Sequence, residues 1–220
     1  MLGCPSDDGT EDSADSGGTK DGLGCGITPS CDRGVFVGSV RVVSEDEIDL
    51  IAGYTGVTGW LEVFESDLEC LDFLRCVEEV GHDVTVFGNA QLTDVRGLDN
   101  LAALGTVEGG NLVLSENTTL ETVEGFGALE TIPGSLNVTR HDALQRVVGL
   151  SSLREVGQNL TVRENPGLES LSGLHELESL GGRFVVTQNP SLCITDIAEV
   201  GMDLESGIPD GSTAANDEGC

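Results

Sequence analysis

The chain has 220 residues and a formal net charge of −29 at pH 7, with only ten Lys and Arg residues. Binding to nucleic acid rests on cations that neutralise phosphates, and anionic membrane surfaces repel so acidic a chain, so both are excluded as direct partners. No stretch of 18 apolar residues occurs, so the sequence offers no membrane-spanning helix, and the modest apolar share suits one domain with a thin core of Leu and Val.

Residues 1–24 read as a unit apart. Residues 5–24 are polar, acidic and nearly free of apolar groups, so they cannot bury enough surface to fold and are expected to form a disordered spacer. An acidic calcium loop is the sharper alternative, but the spacing of an EF-hand with its terminal Glu is missing. Ahead of the spacer, Met1-Leu2-Gly3-Cys4 resembles the end of a bacterial lipoprotein signal, in which small residues precede the Cys that receives lipid. Cys4 is therefore the expected lipidation site; the charged and apolar segments of such a signal would lie upstream of Met1.

Residues 25–220 read as one solenoid domain. Val35–Val43 has the pattern of a strand. Ser44-Glu45-Asp46-Glu47 is a capping box before the apolar run Ile48-Asp49-Leu50-Ile51, which Gly53 ends, so a short helix should cover the open end of the stack. A degenerate first unit runs from Trp60 through Leu61 and Val63 to Leu68, Leu71, Leu74, Val77 and Val80; it lacks an Asn and is one residue short at that turn.

From about residue 82 a unit of 24 residues recurs. Its clearest copies are Leu136, Val138, His141, Leu144, Gly149-Leu150, Leu153, Val156 and then Leu160, Val162, Asn165, Leu168, Gly173-Leu174, Leu177, Leu180. The same frame begins at Val84, Leu112 and Phe184; a four-residue insertion near Gly105–Glu108 lengthens one interval. A fixed period of this length marks a solenoid whose units bury their apolar edges only against one another. Each apolar-x-apolar triplet alternates as a half-buried strand does, so the strands should stack in parallel along one axis. Asn89, Asn117, Asn165 and Asn189 follow their triplets where the chain turns, positions at which a buried amide can satisfy unpaired backbone groups; His141 takes the fifth such place. The Gly-Leu pairs mark the next corner, and the three-residue apolar steps beyond them suit short extended or 3₁₀ segments. Thr195–Glu205, with Ile197, Ala198, Val200 and Leu204 apolar, should form a helix covering the other end.

Apart from Cys4, six cysteines remain, the even number of an exported domain with disulfides. Pairing by neighbourhood gives Cys25–Cys31, Cys70–Cys76 and Cys193–Cys220, one choice among 15 that six cysteines allow. No Cys-x-x-Cys pair occurs and no His stands beside a Cys, so no structural zinc, no other metal and no cofactor is expected. Three Asn-x-Thr sequons, at Asn117, Asn137 and Asn159, read as incidental behind a lipoprotein-like start.

Val42–Val63, with its helix and the run Gly53-Tyr54-Thr55-Gly56-Val57-Thr58-Gly59-Trp60-Leu61-Glu62-Val63, and the closing Thr187-Gln188-Asn189-Pro190-Ser191-Leu192-Cys193 resemble the receptor L domain family. Those domains are the ligand-binding modules of the insulin and epidermal growth factor receptors. The resemblance covers about residues 34–200. It implies a mainly β fold, a right-handed parallel β-helix or leucine-rich-repeat-like solenoid of about six coils with short capping helices. Tyr54 stands where the receptors usually carry a Cys, which argues against the receptor-type N-terminal disulfide and for the local pairings. One such domain behind a lipid anchor and a spacer resembles surface proteins of predatory or social Gram-negative bacteria, lipid-anchored at the outer membrane or cell surface.

Chemistry is hard to place. Glu62, Thr85, Val113, Asn137, Thr161 and Val185 should point outward at strand centres, a small and mostly uncharged column without paired carboxylates or Lys. His82, His141 and His175 fall at different phases of the repeat, so the chain is not expected to be an enzyme. A binding face is easier to argue. Trp60, Phe64 and Phe87 place three of the eight aromatic residues near one end of the sheet, unless Trp60 and Phe64 pack under the N-terminal helix. Arg140, Arg163 and Arg183 come from consecutive units at neighbouring phases and form a basic cluster able to take a carboxylate or phosphate, unless they pair with Glu116 and Glu164. The expected function is a non-catalytic surface recognition or adhesion module that binds an unknown protein or glycan through its sheet face. The alternative is a structural envelope or spacer lipoprotein without a specific ligand.

Overall fold

The computed structural model describes residues 24–202 and Asn216. They form a mainly β protein with few helices. Seven parallel strands make the principal sheet: β1 (Val40–Val42), β2 (Leu61–Phe64), β3 (Val84–Phe87), β4 (Leu112–Ser115), β5 (Leu136–Thr139), β6 (Leu160–Arg163) and β7 (Phe184–Thr187). They pair in chain order from β1 to β7, so neighbours in space are consecutive units in sequence. Shorter parallel strands line the other flanks, including Gly56–Val57 beside Glu79–Val80 and Glu155–Val156 beside Ser179–Leu180.

The register explains the core. Leu61, Val84, Leu112, Leu136, Leu160 and Phe184 pair across successive strands, and Val63, Val86, Leu114, Val138, Val162 and Val186 form a second row two residues on. All are 0–1% exposed. Complete burial of each such side chain contributes about 1.5–3 kcal/mol, so six or seven thin layers together sustain the fold. The predicted three-residue steps appear as 3₁₀ turns at Asp72–Leu74, Arg96–Leu98 and Ser172–Leu174. The corner glycines are required by close approach. A Cβ at Gly97 would collide with the Leu71 carbonyl, and one at Gly149 with backbone of Glu124 and Gly125 in the preceding unit.

The turn out of each strand carries the ladder that the Asn spacing foretold. Asn89, Asn117, His141, Asn165 and Asn189 are all fully buried. Each Asn donates from Nδ2 to a carbonyl of the preceding strand, as from Asn165 to Val138 at 3.1 Å and from Asn189 to Val162 at 3.1 Å. Each Oδ1 accepts the backbone N–H of the member before it, for example His141 N to Asn165 at 3.0 Å. His141 reproduces both contacts with its ring. Nδ1 accepts from Asn117 N at 3.1 Å, and Nε2 faces the Leu114 carbonyl at 3.1 Å, so Nε2 carries the proton. Burial pushes its pKa down to about 4, although the bonds that a protonated ring would give to the Asn117 and Leu114 carbonyls and the nearby Asp142 act in the opposite sense. Ser66 fills the place of the missing Asn in the first unit, its N and Oγ both donating to Asn89 Oδ1. At the far end Asn216 extends the ladder, receiving Asn189 N at 3.2 Å and donating to Val186 O at 2.7 Å.

Several expectations are corrected. Val35–Val43 is two strands, Val35–Phe36 in a flanking sheet and β1 in the principal one, because Gly38 at φ 124° turns the chain between them. The capping box is present, with Glu47 Oε2 accepting from Ser44 N at 2.9 Å. The bond from the Ser44 hydroxyl, and after it the one from Ser44 N, hold the Glu47 carboxyl below its ordinary range. It opens a 3₁₀ turn, Glu45–Glu47, that runs into α1 (Ile48–Ile51). The C-terminal helix α2 spans Ile194–Met202 and buries Ile197 and Val200, while Ala198 faces solvent. Leu204 and Glu205 lie outside the described residues, as do Cys4, the spacer and Cys220.

The disulfides join Cys25 to Cys70 and Cys31 to Cys76, not the neighbours in sequence. Cys70 and Cys76 straddle the 3₁₀ turn Asp72–Leu74, and the entering segment runs alongside that turn with the same six-residue spacing. Gly26 N donates to Asp72 Oδ2 at 2.8 Å between the two links. Cys193 is also disulfide-bonded. Tyr54, in the place of the receptor Cys, meets Phe36 edge-on at 5.4 Å and lies under the Arg33 guanidinium at 4.1 Å.

Candidate binding face

Alternation along each strand sets which side chains leave the sheet. Arg41, Glu62, Thr85, Val113, Asn137, Thr161 and Val185 align across the strand centres, on the side opposite the buried columns. One register on, Phe64, Phe87, Ser115, Thr139, Arg163 and Thr187 form a second outward row. The first row is the small, mostly uncharged column read from the sequence, with charges only at its N-terminal end.

That end holds the aromatic group. Phe64 and Phe87 stack with centroids 5.0 Å apart and planes 16° from parallel. Trp60 precedes β2 and is 36% exposed. Trp60 and Phe64 both lie outside the core cluster that takes in Ile48 and Ile51 of α1. Arg41 completes the patch and was not singled out from the sequence. Its guanidinium sits 4.9 Å from the Phe64 ring and 5.7 Å from the Trp60 ring while pairing with Glu62 at 2.6 Å. The run Val40-Arg41-Val42 carried the signal, since its alternation places Arg41 outward beside Glu62 once β1 is recognised as the edge strand.

The basic cluster is divided. Arg140 follows β5 and pairs with Glu116 at 2.6 Å; Arg163 ends β6, pairs with Glu164 at 2.9 Å and donates to Gln188 Oε1 at 2.8 Å. Arg183 precedes β7, so four residues of strand, roughly 13 Å, separate its level from that of Arg163. Arg140 and Arg163 therefore share one edge of the sheet, and Arg183 stands at the other. The pairing with Glu116 and Glu164 weighed above is present.

On the flank formed by the 3₁₀ turns, a cleft of about 620 Å³ is lined by Asp72, Arg75, Asp94, Arg96, Asp99 and Glu124. Three of its four carboxylates are committed to the backbone, and the fourth, Glu124, lies 3.8 Å from the Arg96 guanidinium. Asp94 accepts from Arg96 N at 3.0 Å, Asp99 from Gly127 N at 3.0 Å, and Asp72 holds Gly26 N as described. Asp94 also bonds the Arg96 side chain, which raises the pKa of that guanidinium. The bonds from Asp72, Asp94 and Asp99 thus tie successive units together along the cleft. Among the described residues, His175, Asp196 and Glu199 alone gather with the geometry of metal ligands.

Residues 105–203 match the family model of the receptor L domain. The match takes in β4–β7 and α2 and supports the resemblance drawn from the closing Thr187–Cys193 motif. Receptor L domains are ligand-binding, non-enzymatic modules, and that family together with the disulfides suggests an extracellular or exported protein. No curated protein and no solved structure matches the chain. No helix among the described residues is long and apolar enough to cross a membrane.

Proposed function

We propose that the protein is a non-catalytic, exported recognition module that binds a protein or glycan through the outer face of its seven-stranded sheet. The observation that carries this reading is the outward group of Phe64 and Phe87 on the sheet, with Trp60 just ahead of β2 and Arg41 over the rings. Aromatic rings and Arg are the residues that dominate binding energy at interfaces, and parallel strands fix their spacing in advance. Arg140 and Arg163, farther along the face, would add contacts to carboxylate or phosphate groups. Residues 25–220 then form one right-handed solenoid whose units close into coils, and residues 1–24 are a spacer behind a lipid attached at Cys4.

Screening the ectodomain on a glycan array and against envelope extracts tests this. Phe87→Ala should weaken binding about ten- to thirtyfold and Arg163→Glu should also weaken it, both with unchanged circular dichroism, since each side chain lies outside the core. Specific binding that survives both changes moves the site off this face. The Arg140–Glu116 and Arg163–Glu164 pairs favour one other reading, a structural envelope spacer whose surface charges are satisfied internally; absence of any ligand would support it. An in-frame signal segment encoded upstream of Met1 is required for the lipid anchor.

A further inference from the structure

We infer that His175, Asp196 and Glu199 form a binding site for a divalent transition-metal ion of the zinc type, which fastens α2 to the last complete repeat unit. The three side chains come from two elements. His175 ends the 3₁₀ turn Ser172–Leu174, and Asp196 and Glu199 stand three apart on α2, hence on one face of that helix. One ligand atom from each lies within 4.8 Å of the other two. His175 Nε2 is 3.6 Å from Asp196 Oδ1 and 3.8 Å from Glu199 Oε2.

Those separations are too long for hydrogen bonds and somewhat wider than the edge of a tetrahedron around zinc, whose bonds to N and O are about 2.0–2.2 Å. A contraction of a few tenths of an ångström about His175, with an approach of the two carboxylates by up to about 1.4 Å, would bring all three into ligand geometry. An independent observation points the same way. His175 Nε2 is shielded from solvent and has no hydrogen-bond partner, the one such side-chain atom among the described residues. A buried nitrogen facing two carboxylates is what a bound cation would satisfy. The site is also partly preorganised, because Asp196 Oδ2 accepts Leu171 N at 2.6 Å and leaves Oδ1 directed toward His175. One imidazole and two carboxylates suit zinc and its neighbours in the first transition row, whereas calcium and magnesium take oxygen ligands. Three protein ligands leave further positions to water.

The consequence is a cap whose attachment depends on metal. α2 buries Ile197 and Val200 against the end of the core, and a bridge from its acidic face to His175 would hold it there. The reading of the sheet face plays no part in this inference.

The test is titration of the EDTA-treated full chain with zinc chloride, followed by calorimetry and thermal melting. Saturable binding of one zinc ion with a rise of several degrees in melting temperature is expected, and calcium or magnesium should not reproduce it at the same concentration. His175→Gln and Glu199→Gln should each weaken zinc binding at least about tenfold, since each removes one of three ligands. Neither side chain has other described contacts, so both variants should fold, as circular dichroism will confirm. His82→Gln serves as the control for histidine binding elsewhere and should leave the affinity unchanged. Zinc binding of equal strength in wild type, His175→Gln and Glu199→Gln would overturn the assignment and mark diffuse binding to an acidic surface. Absence of binding to the wild type would overturn it as well.

Discussion

His141 gives the sharpest quantitative test of the ladder. Its ring is fully buried and neutral, with a pKa held at about 4, against about 6.5 in the unfolded chain. Between those values the unfolded state binds more protons than the folded one, so acid favours unfolding. The stability that depends on neutral His141 is fully present above pH 6.5 and is lost as pH falls toward 4. Each pKa unit corresponds to 1.36 kcal/mol, so the total loss is about 3 kcal/mol, of which about 2 kcal/mol has gone by pH 5. The perturbation is His141→Asn, which restores the residue of the other units and can offer Oδ1 to Asn117 N and Nδ2 to Leu114 O. Carboxylates also titrate in this range, and the variant carries the same ones, so subtraction isolates the histidine. Urea unfolding of both proteins at pH 8 and pH 5 is the assay. Wild type should lose about 2 kcal/mol more than His141→Asn between the two pH values. Equal losses would refute the reasoning, and so would a His141 proton resonance titrating near pH 6.5.

Three further outcomes are expected. Asn165→Ala removes three hydrogen bonds and strands the buried His141 N–H and Val138 carbonyl, so urea unfolding should show a loss of about 3–4 kcal/mol. Peptide mapping of the unreduced chain should find Cys25 joined to Cys70 and Cys31 to Cys76. Each link spans 45 residues and in the chain-entropy account is worth about 4 kcal/mol alone, but losing either one by paired Ser substitution should cost less, because the other still closes nearly the same loop. Gly149→Ala should cost about 2–3 kcal/mol in thermal or urea melts, since the added methyl meets backbone rather than a movable side chain.

The sequence made the repeat legible because one residue type at one phase, the Asn of each turn, has a single physical use. Strand positions, the outward rows and the role of His141 all followed from that phase. What escaped lay outside the period. The entering segment 24–33 returns along the 3₁₀ turn Asp72–Leu74, a path that no spacing between cysteines encodes, so the structure replaces the local pairing. Arg183 looked close to Arg163 because the count along the chain ignored that one precedes its strand and the other ends its own. Ser66 was hidden by a turn one residue shorter. Asn216 was hidden by a tail with no repeat to index it. His175 and α2 belong to different kinds of element, and only the three-residue step from Asp196 to Glu199 hinted that they meet.

The side-chain ladder also makes length an integer property of this molecule. From β4 to β7 every residue pairs with the one 24 positions on. Excising residues 142–165 would bring His141 against Asn189 in the same relation it now has to Asn165, join β5 to β7 in register, and leave both ends untouched. Excising 23 residues would turn every outward side chain inward from the cut onward. The four residues inserted near Gly105 are accommodated because they loop out between Gly105 and Gly110, which meet so closely that a Cβ on either would touch the other's Cα. Change in this protein is therefore quantised: it can gain or lose a whole unit, or extrude a loop at a corner, while any fractional step destroys the register.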